Sequence, residues 1–336
     1  MAQVDLKLAV IGATGLAGRT ILEVLEQRDV PVGELIPIAS PQSRGKKLVF
    51  SGVEYDVSLL QDNRWRKAEI ALLSPGSSVS REWIPRLAEA GLICIDNSSA
   101  FRQHAAVPLV VPEVNPSAIS KGDRIIANPN CSTIQLVVVL APLHRAFGLQ
   151  EVVVSTYQSA SGIGQKGKEQ LLGEISGRVS KPSPFPHKLF QNLIPGIGDL
   201  KDAGYFFEEW KLVHETRKIL GLPDLRVFST AVRVPVLHCH AEAVHLRFRE
   251  DVDPARAREI LGSSPGIAIQ DSPADGIYPL PLQCVGRDEV FVGRIRQMPG
   301  ETRTLDLWIV TDNLRKGAAT NAVQILELIL KSGYLQ

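Results

Sequence analysis

The chain has 336 residues, 44% of them hydrophobic and 22% charged, with 37 Lys and Arg against 36 Asp and Glu. That length predicts two domains, or one domain with a large insertion, and the composition excludes a disordered chain. A formal charge of +1 leaves no global basic field to draw in nucleic acid or an anionic membrane, so any anion site must be local.

Residues 1 to about 130 alternate short β-branched runs with helical stretches, the signature of βαβ units around a parallel sheet. Strands are predicted over residues 7–11, 35–39, 70–73, 93–95 and 124–127, with amphipathic helices over 19–28 and 81–90. The start of the chain runs directly into a glycine turn and lacks the apolar stretch and cleavage site of a signal peptide. A further helix is expected over 134–146; its apolar run, 134–142, is far short of the roughly 20 residues that cross a bilayer. From Glu151 the pattern changes to longer alternating strands, clearest over 243–249 and continued over 290–295 and 304–310, which predicts an antiparallel or mixed sheet with one exposed face. Residues 182–198, rich in Pro and Gly, read as a long ordered loop, and 314–330 as a terminal helix that packs back on the first domain.

The expected architecture is α/β: a Rossmann-type dinucleotide-binding domain over residues 1–130, completed by 313–336, and an α+β domain with a mixed, largely antiparallel sheet over 131–312. Cys94, Cys131, Cys239 and Cys284 are scattered without C-x-x-C or zinc spacing, so neither a disulfide framework nor a metal site is expected. Reduced thiols and a cytoplasmic location follow.

The run V-I-G-A-T-G-L-A-G places Gly12, Gly15 and Gly18 between the first strand and the first helix. There the backbone can approach a pyrophosphate while the helix N-terminus supplies amide donors and partial positive charge, with Thr14, Leu16 and Ala17 in the same turn. A NAD site of this type carries an acid near the end of the second strand. Ser40 stands there instead, followed by Ser43, Arg44, Lys46 and Lys47, which suits a 2′-phosphate and favours NADP. None of the five tyrosines has the Tyr-x-x-x-Lys spacing that short-chain dehydrogenases need.

Asn128-Pro129-Asn130-Cys131-Ser132-Thr133 is the most informative stretch. Cys131 follows a strand and a turn and opens a helix, a position that favours the thiolate nucleophile and leaves backbone N–H groups for an oxyanion. A histidine would serve as acid and base. His238, His240 and His245 lie close together, whereas His104, His144, His187 and His214 read as structural. Regular strand alternation after Arg233 puts His240 on the opposite face, so a bulge or turn is needed to bring both to one pocket. The residues alone do not choose among the three.

Along nearly its whole length the chain resembles the aspartate-semialdehyde dehydrogenase family, through G-A-T-G-L-A-G, D-N-S-S-A-F-R, N-P-N-C-S-T, Y-Q-S-A-S-G, E-E-W-K with H-E-T-R-K-I, R-V-P-V-L-H-C-H and D-N-L-R-K-G-A-A-T-N-A. The resemblance implies Cys131 as nucleophile, His240 as acid/base, and Gln158 with Asn130 beside the acyl intermediate. It implies Arg102 and Lys211 as phosphate ligands, Glu208 as partner of the substrate amine, and Arg233 as partner of the α-carboxylate. Ser74, Ser161, Gly162 and Asn313 join the NADP set. The implied reaction is NADPH-dependent reductive dephosphorylation of β-aspartyl phosphate to aspartate β-semialdehyde, in the branch towards lysine, threonine and methionine, by a homodimer. The alternatives are an N-acetyl-γ-glutamyl-phosphate reductase, whose acetylated substrate would not need Glu208, and a non-catalytic paralogue. The loop after Ser40 and the segment from Ser74 to Ser80 depart from the usual family pattern, so which of Ser43 and Arg44 meets the 2′-phosphate stays open.

Overall fold

The computed structural model describes residues 6–178 and 182–334. The chain forms two compact units, one of residues up to Pro129 together with those from Ala318, the other Asn130–Gly317. Asn313 to Gly317 thus group with the second unit, and the return to the first begins at Ala318, later than the expected 313.

The first unit contains β1 (Leu6–Ile11), α1 (Leu16–Gln27), β2 (Val32–Ile38), β3 (Lys47–Phe50), β4 (Val53–Asp56), β5 (Ile70–Leu73), α2 (Ser77–Glu89), β6 (Ile93–Asp96) and β7 (Ile125–Ala127). The second contains α3 (Cys131–Phe147), β8 (Leu149–Gln158), α4 (Gln165–Ile175), α5 (Phe207–Leu220), β9 (Arg226–Arg233) and β10 (His240–Phe248). It continues through α6 (Pro254–Gly262), β11 (Ile267–Ile269), α7 (Pro281–Cys284), β12 (Val290–Arg296) and β13 (Thr304–Thr311). A π-helical turn, Arg315–Ala319, leads into α8 (Thr320–Ser332), so the regular helix begins later than the sequence pattern suggests.

In the first unit the five parallel strands run in the order β2-β1-β5-β6-β7. Because successive strand residues face opposite sides, each strand feeds two cores. Leu8, Val10, Ile70, Leu72, Ile93 and Ile95 pack with Ile21 and Leu25 of α1 and Ile325 and Leu326 of α8. Ala9, Ile11, Ala71, Leu73 and Cys94 pack with Trp65 and with Trp83, Ile84 and Leu87 of α2. A sheet buried on both faces explains why its strands read as continuous apolar runs. Sequence reading missed the β3–β4 hairpin, whose exposed Val49 and Val53 carry little core signal.

The second unit has a six-stranded sheet ordered β11-β12-β13-β10-β8-β9. Its β13-β10-β8 centre is antiparallel, with parallel pairs at both edges, β8–β9 and β11–β12. Val152, Val154, Thr156 and Gln158 of β8 are buried, while Val153 and Tyr157 between them are exposed, the alternation of a sheet with one covered face. Helix α3 packs against this sheet. No helix among the described residues is long and apolar enough to cross a membrane.

Candidate active site

The cofactor elements belong to the first unit. Gly12 leaves β1 at φ +89°, and a Cβ there would lie 2.9 Å from Ser74 Oγ and 3.0 Å from the Ser74 carbonyl carbon, so only glycine fits. Gly18 allows α1 to approach the turn: a Cβ would meet the Gly12 carbonyl oxygen at 2.1 Å. Helix α1 starts without a side-chain cap and without an acid in its first turn, which leaves its N-terminus suited to an anion.

A cleft of about 400 Å³ opens here, lined by Gly12, Thr14, Gly15, Ala39, Ser40, Ser74 and residues of α2. It sits where strand order reverses, between β1 with β2 on one side and β5 on the other, the place where open α/β sheets hold ligands. The observed cradle therefore fits a dinucleotide. No acid follows β2; Ser43 lies buried and shares a hydrogen bond with Thr14, Oγ to Oγ1 at 3.0 Å. Arg44 does not line the cleft: its side chain is 70% exposed and its Nη2 is 3.9 Å from Asp62. Leu16 and Ala17 open α1 but are not among the lining residues. Arg102, also in this unit, is buried, with Nε donating to the Asn128 carbonyl at 2.8 Å and Nη2 to the Asn97 carbonyl at 2.8 Å.

The second unit gathers the remaining site residues. Cys131 is the first residue of α3, and Asn130 is its N-cap, with Oδ1 accepting from the N–H groups of Ser132 at 3.0 Å and Thr133 at 3.3 Å. The expectation that the opening amides remain for an oxyanion is corrected at these two positions, because the cap already occupies them. Cys131 is half-buried, whereas the other three thiols are buried. Burial pushes Cys94 and Cys284 up to about 12 and raises Cys239 as well.

Asn130 is held from α5. Its N–H donates to Glu215 Oε2 at 2.7 Å and its Nδ2 to Glu208 Oε1 at 2.8 Å. Gln158, the last residue of β8, donates through Nε2 to the same Glu208 oxygen at 3.0 Å, while its own Oε1 accepts from Thr156 at 3.0 Å. Glu208 Oε2 pairs with Lys211 one turn along α5. Burial opposes the charge on Glu208, but the Lys211 ammonium and the bonds from Lys211, Gln158 and Asn130 outweigh it and hold the carboxyl at about 2. Glu208 is therefore buried and wired to the cysteine turn, and its partner Lys211 is half-buried, so the two are not a solvated helix face.

Arg233 ends β9, is 4% exposed, and donates through Nη1 to the Ser159 carbonyl at 2.6 Å. Burial lowers its pKa, and the nearby charges of Glu208 and Cys131 act the other way. The chain then leaves the sheet for six residues and re-enters at His240 through Cys239 in a left-handed conformation, φ +67°. That turn brings His240 and Arg233 to one place. A Cβ on Gly162 would sit 2.7 Å from Arg233 Nη1 and 3.1 Å from His240 Nε2.

His240 is fully buried, in register with Gln158 across the β8–β10 pair. Its Nδ1 accepts from the Ser159 N–H at 3.1 Å and lies 3.2 Å from Ser159 Oγ. Burial and the Arg233 charge push its pKa down to about 3, against smaller pulls from the Cys239 backbone and Glu208. Asn313 Oδ1 ties this corner together by accepting from Ser159 Oγ at 3.2 Å, Ser161 Oγ at 3.0 Å and the Cys239 N–H at 3.1 Å. Of the other candidates, His245 sits half-exposed against Asp306 at 2.9 Å, and His238 is not buried.

Sequence reasoning missed Ser159, Glu215, Gly317 and Glu242. Gly317 belongs to the D-N-L-R-K-G stretch, and a Cβ there would touch Cys131 Cβ at 3.0 Å. Glu242 lies two residues beyond His240 on the same covered face; neither of its oxygens has a hydrogen-bond partner among the described residues. No group of three or more His, Cys, Asp or Glu among the described residues could hold a metal ion.

A parallel sheet with a glycine-cradled cleft, and a second unit in which a helix-opening thiol shares its surroundings with an imidazole and a guanidinium, define a dinucleotide-dependent oxidoreductase. Residues 7–122 match the family model for the semialdehyde dehydrogenase NAD binding domain, and residues 140–316 that for the semialdehyde dehydrogenase dimerisation domain. The chain belongs to the aspartate-semialdehyde dehydrogenase family. It is 47% identical to the aspartate-semialdehyde dehydrogenase of Aquifex aeolicus (strain VF5), over 98% of this chain and 99% of that one. Among solved structures it resembles aspartate semialdehyde dehydrogenase II of Vibrio cholerae complexed with ASA, with TM-score 0.94, 42% identity and coverage of 97% and 98%. It also resembles the Candida albicans aspartate semialdehyde dehydrogenase with NADP, with TM-score 0.78, 25% identity and coverage of 98% and 99%.

Proposed function

We propose that the chain is an NADP-dependent aspartate-semialdehyde dehydrogenase that converts β-aspartyl phosphate to aspartate β-semialdehyde and phosphate through a thioester on Cys131. The observation that carries this reading is the placement of the half-buried Cys131 at the mouth of α3, in a unit where His240, Arg233 and Gln158 are all buried. A thiolate there attacks the acyl carbon and phosphate departs. Gln158 and Asn130, both anchored on Glu208, hold the acyl group, and His240 meets its oxygen. Arg233 takes the α-carboxylate, Glu208 the amino group, and Lys211 and Arg102 the phosphate, a division that matches two anionic ends and one cation. An ionised Glu208 gives the acetylated-amine alternative no support.

Gly12, Thr14, Gly15, Ser40 and Ser74, with the amides of Leu16 and Ala17, would hold the dinucleotide, one of Ser43 and Arg44 its 2′-phosphate, and Ser161, Gly162 and Asn313 its other end. A nicotinamide held there would supply the hydride for reduction of the thioester. The exposed apolar residues Val153, Tyr157 and Phe228 of the second sheet support a homodimer, and four cysteines with no disulfide among the described residues agree with a reducing cytoplasm. Cys131→Ala should abolish phosphate-dependent NADP⁺ reduction with the semialdehyde while leaving dinucleotide binding intact. Turnover near the native rate in that variant would refute the assignment.

A further inference from the structure

Glu174 stands in the last turn of α4, where an acid meets the negative end of the helix dipole and is locally disfavoured. Its carboxyl is nonetheless buried, and two of the donors that meet it come from outside the helix. Oε2 accepts from the N–H of Leu189 at 2.9 Å and of Phe190 at 2.7 Å, while Oε1 accepts from Gln170 Nε2 at 2.8 Å. Leu189 also belongs, with Leu171 of α4 and with Ile194, to one apolar cluster. The Pro- and Gly-rich stretch 182–198 is thus pinned to α4 by a polar and an apolar contact side by side.

From this anchor the segment reaches two groups of the substrate site. Strand β9 lies at the edge of its sheet, and Ile194 pairs with its last residue, Arg233. The Ile194 N–H donates to the Arg233 carbonyl at 3.0 Å, and the Arg233 N–H donates to the Ile194 carbonyl at 2.9 Å. Such a reciprocal pair fixes the backbone from which the guanidinium projects. A few residues on, the Ile197 carbonyl accepts the Glu208 N–H at 3.2 Å and the Asp199 carbonyl accepts the Phe207 N–H at 2.8 Å. Those N–H groups open α5 and have no partner within the helix, so the same segment seats the turn that carries Glu208.

We propose that Glu174 is a positioning residue for the amino-acid end of the substrate. By holding residues 189–199 against α4 it seats Arg233 for the α-carboxylate and Glu208 for the amino group. The inference rests on the roles proposed above for those two side chains. They recognise opposite charges borne by one carbon, so their spacing must be kept to a fraction of an ångström, and one segment that bonds to both backbones sets it. Without the carboxyl, two buried N–H groups lose their acceptor and the segment must shift to find another. A glutamine can stand in for it: its one oxygen meets both N–H groups, and Gln170 can turn its own oxygen towards the new Nε2. Glu174 acts through the segment, not on the reacting atoms.

The test compares Glu174→Ala with Glu174→Gln. In the alanine variant the KM for aspartate semialdehyde should rise at least ~10-fold while kcat stays within ~3-fold, the pattern of lost uniform binding. The KM for NADP⁺ should stay within ~2-fold in both variants, and glutamine should bring the semialdehyde KM back to within ~3-fold of native. Hydrogen exchange read by mass spectrometry should show protection of residues 189–199 and of the Arg233 amide lost with alanine and kept with glutamine. If the alanine variant does not fold, Glu174→Asp, which keeps a carboxyl but withdraws it by one methylene, should raise the semialdehyde KM in the same way. A native KM in the alanine or aspartate variant, a loss confined to kcat, a glutamine variant no better than alanine, or unchanged exchange would each overturn the proposal. Arg233→Lys separates it from the reading beneath it. A native semialdehyde KM there would sink the role given to Arg233, and this proposal with it; a raised KM there beside a native one in Glu174→Ala would sink this proposal alone.

Discussion

Glu242 offers a stability experiment that separates the fold from its chemistry. Its carboxyl lies on β10 in register with Thr156 and Ile309, fully buried, with neither oxygen hydrogen bonded among the described residues. Burial pushes its pKa up from 4.5 to about 8, and the Gln135 amide draws it only partly back. A carboxyl whose folded pKa lies above its unfolded value costs nothing while both states are protonated, and the cost begins once the unfolded chain ionises. Between about pH 4.5 and 8 folding must take up a proton, so stability falls by about 1.4 kcal/mol for each pH unit. By pH 7 this amounts to on the order of 3 kcal/mol, and above the folded pKa it levels off. Glu242→Gln has nearly the same shape and nothing to titrate. Unfolding free energies from urea titrations should therefore coincide with the native protein near pH 4, exceed it by on the order of 3 kcal/mol at pH 7, and widen no further above pH 8. A gap independent of pH, or a glutamine variant less stable at pH 8, would refute the reasoning.

Gly162→Ala places a methyl 2.7 Å from Arg233 Nη1 and 3.1 Å from the His240 ring, so turnover should fall by at least ~10²-fold. Its thermal midpoint should stay within a few degrees of native, because the displaced groups belong to the proposed substrate site and to none of the apolar core clusters. Ser40→Asp restores a carboxylate at the end of β2, where a 2′-phosphate would be repelled. The KM for NADPH should rise at least ~10-fold with NADH little changed, and equal effects on the two cofactors would count against the assigned orientation. Asn130→Ala removes the acceptor for two N–H groups of α3 and a donor to Glu208. It should cost about 2 kcal/mol in urea titrations and slow Cys131 alkylation; unchanged values for both would show that the cap does not organise the turn.

The parallel sheet was legible because its strands obey two rules at once: β-branched runs of the right length, and a glycine turn at the end of the first. The nucleophile was legible for a similar local reason, since Asn130-Cys131-Ser132 states both the cap and the helix start. What local pattern could not show was how the cap is used. Sequence reading left the opening amides of α3 for the oxyanion, whereas the side chain that makes Asn130 a good cap consumes two of them. Arg44 illustrates the same limit. Its place after Ser40 does not say where the side chain goes; the turn that buries Ser43 sends the arginine outward, towards Asp62 at the protein surface.

The pairing of Arg233 with His240 shows why a site can exceed its motif. Strand alternation sets the two on opposite faces, and the contradiction was visible in the sequence together with its remedy, a turn between them. No residue type announced the turn. Cys239 carries it at φ +67°, a conformation unusual for a non-glycine residue, and its N–H is taken by Asn313, seventy-four residues further along the chain. Asn313 also accepts from the two serines beside His240, so the amide that stabilises the strained turn belongs to the network around the imidazole. The local cost and the chemical arrangement are thus met by one side chain. Long-range closure of this kind leaves no periodicity in the sequence, because the condition that Asn313 satisfies exists only once β9, β10 and the segment after β13 have come together.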